Sequence, residues 1–94
     1  MNLFEPGQVC VTSEVSGLMA KNPDFDRAAN DALRRHLWGD WGDLPEGDRD
    51  LNNAALVNGD RLFSVYLAPC AEGRVVIVTE GDRGKTALRQ WHPG

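Results

Sequence analysis

The spacing of apolar residues changes character once along this chain, and that change limits what the chain can fold into. From Phe25 the inward positions fall at Phe25, Ala28, Ala29, Ala32, Leu33, His36 and Leu37, a period of three and four that puts them on one helical face. Beyond residue 60 the helical period gives way to runs of branched and aromatic residues, RLFSVYL over 61–67 and RVVIVTE over 74–80, which read as strands. Helices first and strands afterwards, joined by short loops, define an α+β fold: a small antiparallel sheet of three or four strands with two or three helices packed on one face. At 94 residues the chain has room for one domain, 1–94.

Local signals place the boundaries. QVCVT, 8–12, alternates enough for a short strand, with Val9 and Val11 on one side and Cys10 on the other. Ser13 or Ser16 can cap a helical turn through Leu18, Met19 and Ala20 before Asn22-Pro23, a cap and first-turn pair, opens the long helix. Gly39, just past the last turn, supplies the positive φ at which helices commonly stop. Asp43 as a cap, Pro45 in the first turn and Glu46 reaching back predict a further helix to about Val57, closed by Asn58-Gly59. Its buried stripe is expected at Leu51, Ala54 and Ala55, with Asn52 and Asn53 facing elsewhere. APCAEG, 68–73, and GDRGK, 81–85, are turns, and TALRQW, 86–91, is expected as a third strand on the sheet edge.

Strand parity raises a further point. Val75 and Ile77 share one face of their strand and Val76 and Val78 the other, and all four are apolar. Short helices cover one face of such a sheet. The other must be covered by the N-terminal segment, a second copy or a partner.

Charge and cysteine usage exclude several classes. The longest apolar run is VVIV, 75–78, far below the roughly 20 residues a bilayer-spanning helix needs. MNLFEPGQ lacks the basic and apolar blocks of a secretory signal, so a cytoplasmic protein is expected, with Cys10 and Cys70 as two reduced thiols and no membrane partner. Neither cysteine stands at metal-ligand spacing to His36 or His92, and no metal or other cofactor is expected. The formal net charge of −4 argues against gripping nucleic acid by its phosphates. Asp40, Asp43, Glu46, Asp48 and Asp50 lie in a stretch whose one base is Arg49. They form either a solvated loop and helix start or a negative surface for a basic partner.

Two sets of residues could carry function. His36 lies four residues before Asp40, and with Asp40 and Glu80 it could hold a divalent ion for phosphodiester cleavage; a histidine on an apolar helical face is otherwise a buried, hydrogen-bonded side chain. Trp38 and Trp41 flank Gly39 and Asp40. Indoles in a turn usually plug a core edge, and one left exposed becomes an interface anchor. Arg83 is expected to pair with Asp82 or the acidic loop, and Ser64 has no histidine assignable to it from sequence.

The combination GDWGDL at 39–44, NNAAL at 52–56, RLFSVY at 61–66 and VIVTEGDR at 76–83 resembles a small bacterial family carried on plasmids, phages and integrated elements, whose members are labelled plasmid-related protein or restriction endonuclease subunit M. The resemblance covers roughly residues 8–85 and includes the histidine four residues before the GDWG motif, here His36. The match ends at Gly84 and Lys85, where the family continues through a threonine pair. A methyltransferase subunit would need a far longer chain with a cofactor-binding fold, so the restriction label is not expected to describe the function. What the resemblance implies is accessory work for a mobile element, such as blocking a host defence complex.

Together these readings give a leading expectation: a non-enzymatic protein-binding module, an inhibitor of a CRISPR surveillance complex or restriction enzyme. It would bind through Trp38, Asp40, Trp41, Asp43, Glu46, Asp48 and Asp50, and no direct contact with nucleic acid is expected. A metal-dependent nuclease and a homodimer joined through the uncovered sheet face are the alternatives.

Overall fold

A computed structural model describes residues 2–67 and 74–91. The elements run β1 (Gln8–Val11), α1 (Ser13–Lys21), α2 (Pro23–Leu37), α3 (Glu46–Asn58), β2 (Leu62–Leu67), β3 (Arg74–Thr79) and β4 (Lys85–Trp91), an α+β arrangement. The expected turn at 68–73, with Cys70, and the tail with His92 lie outside the described residues. Cys10 is free and half-buried. No helix among the described residues is long and apolar enough to cross a membrane.

The sheet has the order β1-β4-β3-β2. Its β2–β3 and β3–β4 pairs are antiparallel, as expected, and β1 runs parallel to β4, with Gln8 opposite Lys85 and Val11 opposite Leu88. TALRQW therefore belongs to an inner strand rather than an edge. Its sparse hydrophobicity misled the edge assignment: Thr86 and Leu88 face the helices and are buried, while Lys85 and Arg89 face away and are exposed.

Helices α1 and α2 cover one face, where Val15, Phe25, Ala29 and Ala32 pack on Tyr66, Val75, Ile77 and Leu88. Thr12, rather than the Ser13 or Ser16 expected, caps α1 by accepting the Val15 N–H at 3.3 Å. The Asn22 cap is as expected, its Oδ1 accepting the Asp24 and Phe25 N–H groups at 3.1 and 3.2 Å. Gly39 and Gly59 both take positive φ, at 85° and 75°, one past α2 and one closing α3.

Helix α3 departs from its expected orientation. Leu51 is 69% exposed and Ala54 is exposed, while Asn52 is buried beside Ala55. The reason is position: α3 lies against the outer edge of β2, where the backbone presents N–H and C=O groups in need of partners. The Asn52 side chain supplies them, donating from Nδ2 to the Phe63 carbonyl at 2.5 Å and accepting the Phe63 N–H at 3.2 Å. Asp43 does not cap α3, which starts after Pro45 with no side-chain cap. Its N–H instead donates to the Val65 carbonyl at 2.7 Å, and the Val65 N–H donates to the Trp41 carbonyl at 3.3 Å. The 41–43 backbone and Asn52 thus close this edge at Phe63 and Val65.

Candidate functional site

Residues 36–44 divide by task. Arg35 reaches forward from α2 to clamp Asp40 through two hydrogen bonds, Nε to Oδ2 at 2.8 Å and Nη2 to Oδ1 at 3.3 Å, while its guanidinium lies 4.8 Å over the Tyr66 ring. Asp40 Oδ1 also accepts the Gly42 N–H at 3.2 Å. These contacts, the Arg35 hydrogen bond first, hold the Asp40 carboxyl below its ordinary pKa. The Tyr66 hydroxyl donates to the Asp40 carbonyl at 2.6 Å, and burial pushes the phenol pKa up. Gly42 passes so close to β2 that a Cβ there would collide with the Val65 carbonyl oxygen, and its φ is 74°.

The two tryptophans take opposite roles. Trp41 is 3% exposed, its Nε1 donating to Asn53 Oδ1 at 3.0 Å and its indole meeting the His36 ring edge-on at 5.7 Å. This corrects its inclusion in a binding surface: it fills the space between α3 and the core. Trp38 is 61% exposed. It lines a shallow hollow of about 240 Å³ with Asp31, Arg34, Arg35 and Asp40. A second hollow of about 360 Å³, lined by Gly39, Asp40, Glu46, Arg49 and Asp50 among others, shares Asp40 with the first. The two join Trp38, Asp40, Glu46 and Asp50 into one continuous strip. Asp48 is exposed but borders neither hollow, and Asp43 borders a different groove on the open sheet face. Arg35 was not singled out from sequence; the five-residue step from Arg35 to Asp40 crosses a helix end, where no i,i+4 rule applies.

His36 is wholly buried. Its Nδ1 is 2.5 Å from Ser64 Oγ and its Nε2 2.9 Å from Thr79 Oγ1; Thr79 is 2.8 Å from Thr86 Oγ1, which donates to the Pro6 carbonyl at 2.7 Å. That carbonyl can only accept, so the direction of the row from Thr86 back to His36 Nε2 follows. Thr86 gives its proton to Pro6, Thr79 gives its own to Thr86, and His36 donates from Nε2 to Thr79. Burial keeps the ring neutral, so with the proton on Nε2 the Nδ1 is bare and accepts from Ser64. Burial, with Arg83 nearby as a lesser cause, lowers the His36 pKa to about 4.

The phosphodiester-cleavage reading loses its histidine here. Both ring nitrogens are engaged by hydroxyls, Asp40 is clamped by Arg35, Glu80 is exposed, and no group of three or more His, Cys, Asp and Glu among the described residues could hold a metal ion. The Ser64–His36 pair resembles a nucleophile and its base, but Ser64 is also wholly buried and no substrate atom can reach it. The row is structural. It joins α2, three strands and the N-terminal segment.

Arg83 is structural as well, with partners other than those expected. It donates to the carbonyls of Asp60 at 2.6 Å and Ala55 at 3.1 Å, and to Glu80 and Gly81 in its own turn. Its cation sits at the carbonyl end of α3, where it complements the helix dipole. Asp82 instead accepts the Gly84 N–H at 2.8 Å.

No family model, curated protein or solved structure matches this chain.

Proposed function

We propose that this chain is a non-enzymatic protein-binding module of a mobile genetic element, which docks on a basic partner through the strip from Trp38 past Asp40 to Glu46 and Asp50. The partner in this reading is a host nucleic-acid-targeting defence complex, either a CRISPR surveillance complex or a restriction enzyme, with the strip lying in its phosphate-binding groove. One observation carries the proposal: an indole 61% exposed stands at the end of a surface whose carboxylates outnumber its bases, on a loop held rigid by Arg35, Asp40 and Tyr66. An exposed tryptophan on a preorganised loop loses little entropy on binding, which suits an interface anchor. Glu46 and Asp50, farther along the strip, favour a basic surface and speed the encounter. The mobile-element setting rests on the resemblance of the 39–44, 61–66 and 76–83 segments to plasmid- and phage-borne proteins.

Affinity capture from a bacterial host lysate tests the proposal. The full chain should retain a basic protein or nucleoprotein that elutes as salt rises, and E46K/D48K/D50K and W38A should each lose it. Retention of the same partner by the triple variant would rule out the acidic strip as the contact surface.

A further inference from the structure

The four strands contain no aspartate or glutamate, although the whole chain has 14 acids against 10 Lys and Arg. The bases they do contain are Arg74, Lys85 and Arg89. The register puts all three on the face away from α1 and α2: Arg74 is opposite Trp91 and Arg89 opposite Val76, whereas Thr79, Ile77 and Val75, pointing the other way, pack under the helices. Phe63 and Trp91 share that open face and are 38% and 47% exposed. The net charge of the chain therefore conceals a segregation, with acids on helices and loops and a basic, aromatic sheet face.

This face holds a groove of about 610 Å³ floored by Phe63, Val65 and Val76, with Arg74, Arg89 and Trp91 along one side and Asp43 at its rim. The Arg74 guanidinium lies 5.8 Å over the Trp91 ring, and its Nε–H is buried with no hydrogen-bond partner among the described residues. Same-face rows of a strand repeat at roughly 6.8 Å, close to the step of an extended nucleotide chain.

We propose that the open sheet face binds single-stranded nucleic acid, with bases stacking on Trp91 and Phe63 and phosphates held by Arg74, Arg89 and Lys85. Each nucleotide brings one flat ring and one anionic group, and the face offers both kinds of receptor, Trp91 beside Arg74 and Arg89 at one corner and Phe63 at the other. An acidic peptide would use the arginines and leave the aromatic rings without a purpose. A duplex hides its base faces, so it gains only the charge term. The site is separate from the Trp38–Asp50 strip and does not depend on it.

The test is fluorescence anisotropy with labelled mixed-sequence single-stranded DNA and RNA of about twelve nucleotides, each beside its duplex. At about 50 mM salt the chain should bind the single strands and bind duplex more weakly, with log affinity falling against log salt at a slope of about −2, as three phosphate contacts imply. R89E should weaken binding at least tenfold and W91A roughly tenfold, both positions being exposed enough to leave the fold intact. Neutralising the other surface, E46Q/D48N/D50N, should change affinity less than about twofold. The proposal is overturned by any of four results: no binding up to about 100 µM protein at low salt; unchanged binding by both R89E and W91A; displacement by polyglutamate as effective as by an oligonucleotide of equal charge, which would mark an acidic-peptide site; or a wild-type dimer that R89E converts to monomer, which would make a second copy the occupant.

Discussion

Asn52 and Phe63 are joined as two strands would be, the side-chain amide of one both donating to and accepting from the backbone of the other, at 2.5 and 3.2 Å. A side chain thus takes the place of a further strand along β2. Replacing Asn52 with alanine leaves a part-buried edge N–H and C=O without partners, which costs on the order of 1–3 kcal/mol. Urea unfolding of N52A should show that loss, and N52D, which keeps the acceptor but has no donor for the Phe63 carbonyl, should lose a comparable amount. A midpoint unchanged in both would mean the contact contributes nothing to stability.

The buried His36 makes stability depend on pH. Its folded pKa of about 4 lies below the ordinary 6.5, so between these values the unfolded chain takes up a proton that the folded chain refuses. The stabilisation is complete above about pH 6.5, falls as pH drops toward 4, and changes no further below that; a shift of this size corresponds to about 3 kcal/mol. Unfolding midpoints at several pH values between 7.5 and 4.5 measure it. H36Q, which cannot titrate, should flatten the curve in this window even if it lowers overall stability.

Trp38 and Trp41 should separate when quenching is compared between two single-tryptophan variants, W41F/W91F and W38F/W91F, since Trp91 is also exposed. A soluble quencher should reach Trp38 and leave Trp41 almost untouched, given exposures of 61% and 3%. W41A should cost about 3–5 kcal/mol, since it empties the space against His36 and leaves the Asn53 acceptor free. W38A should fall within about 0.5 kcal/mol of wild type. Equal quenching of both indoles would contradict this placement of the loop.

Gly42 and Gly47 make a matched pair. Alanine at Gly42 meets the Val65 carbonyl and the Tyr66 ring at a positive φ, so G42A should lose several kcal/mol or fail to fold. Alanine at Gly47 meets nothing within 4 Å in the first turn of α3, and G47A should raise stability by about 0.5–1 kcal/mol. Thermal melts of the two variants beside wild type are sufficient.

What the sequence made legible was local. The three-and-four spacing from Phe25 to Leu37, the Asn22-Pro23 start, the stops at Gly39 and Gly59 and the strands at 62–67 and 74–79 depend on neighbours in the chain, and each lies within a residue or two of its expected place. The failures are at long range. Asn52 looked like a surface residue because periodicity weighs apolar side chains, while a sheet edge needs polar ones. Ser64 could not be assigned to a histidine 28 positions away, and Asp43, well suited to a cap by type, was drawn to Val65 on β2. The open sheet face was partly foreseen from Val76 and Val78, but its charge was not. That required the register, since Arg74 shares a face with Lys85 and Arg89 through the pairing of β3 with β4.

The parallel pairing of β1 with β4 has a consequence for biosynthesis. Gln8 finds its partner at Lys85 and Val11 at Leu88, so β1 leaves the ribosome long before the strand it must lie beside has been translated. Helices α1 and α2 can associate early, since they are neighbours in sequence, but the sheet they cover has no centre until β4 arrives. Until then Val9 and Val11 are unpaired and the Pro6 carbonyl lacks its threonine donor. The nascent chain thus holds its first strand in waiting, and completion of the sheet is a late event.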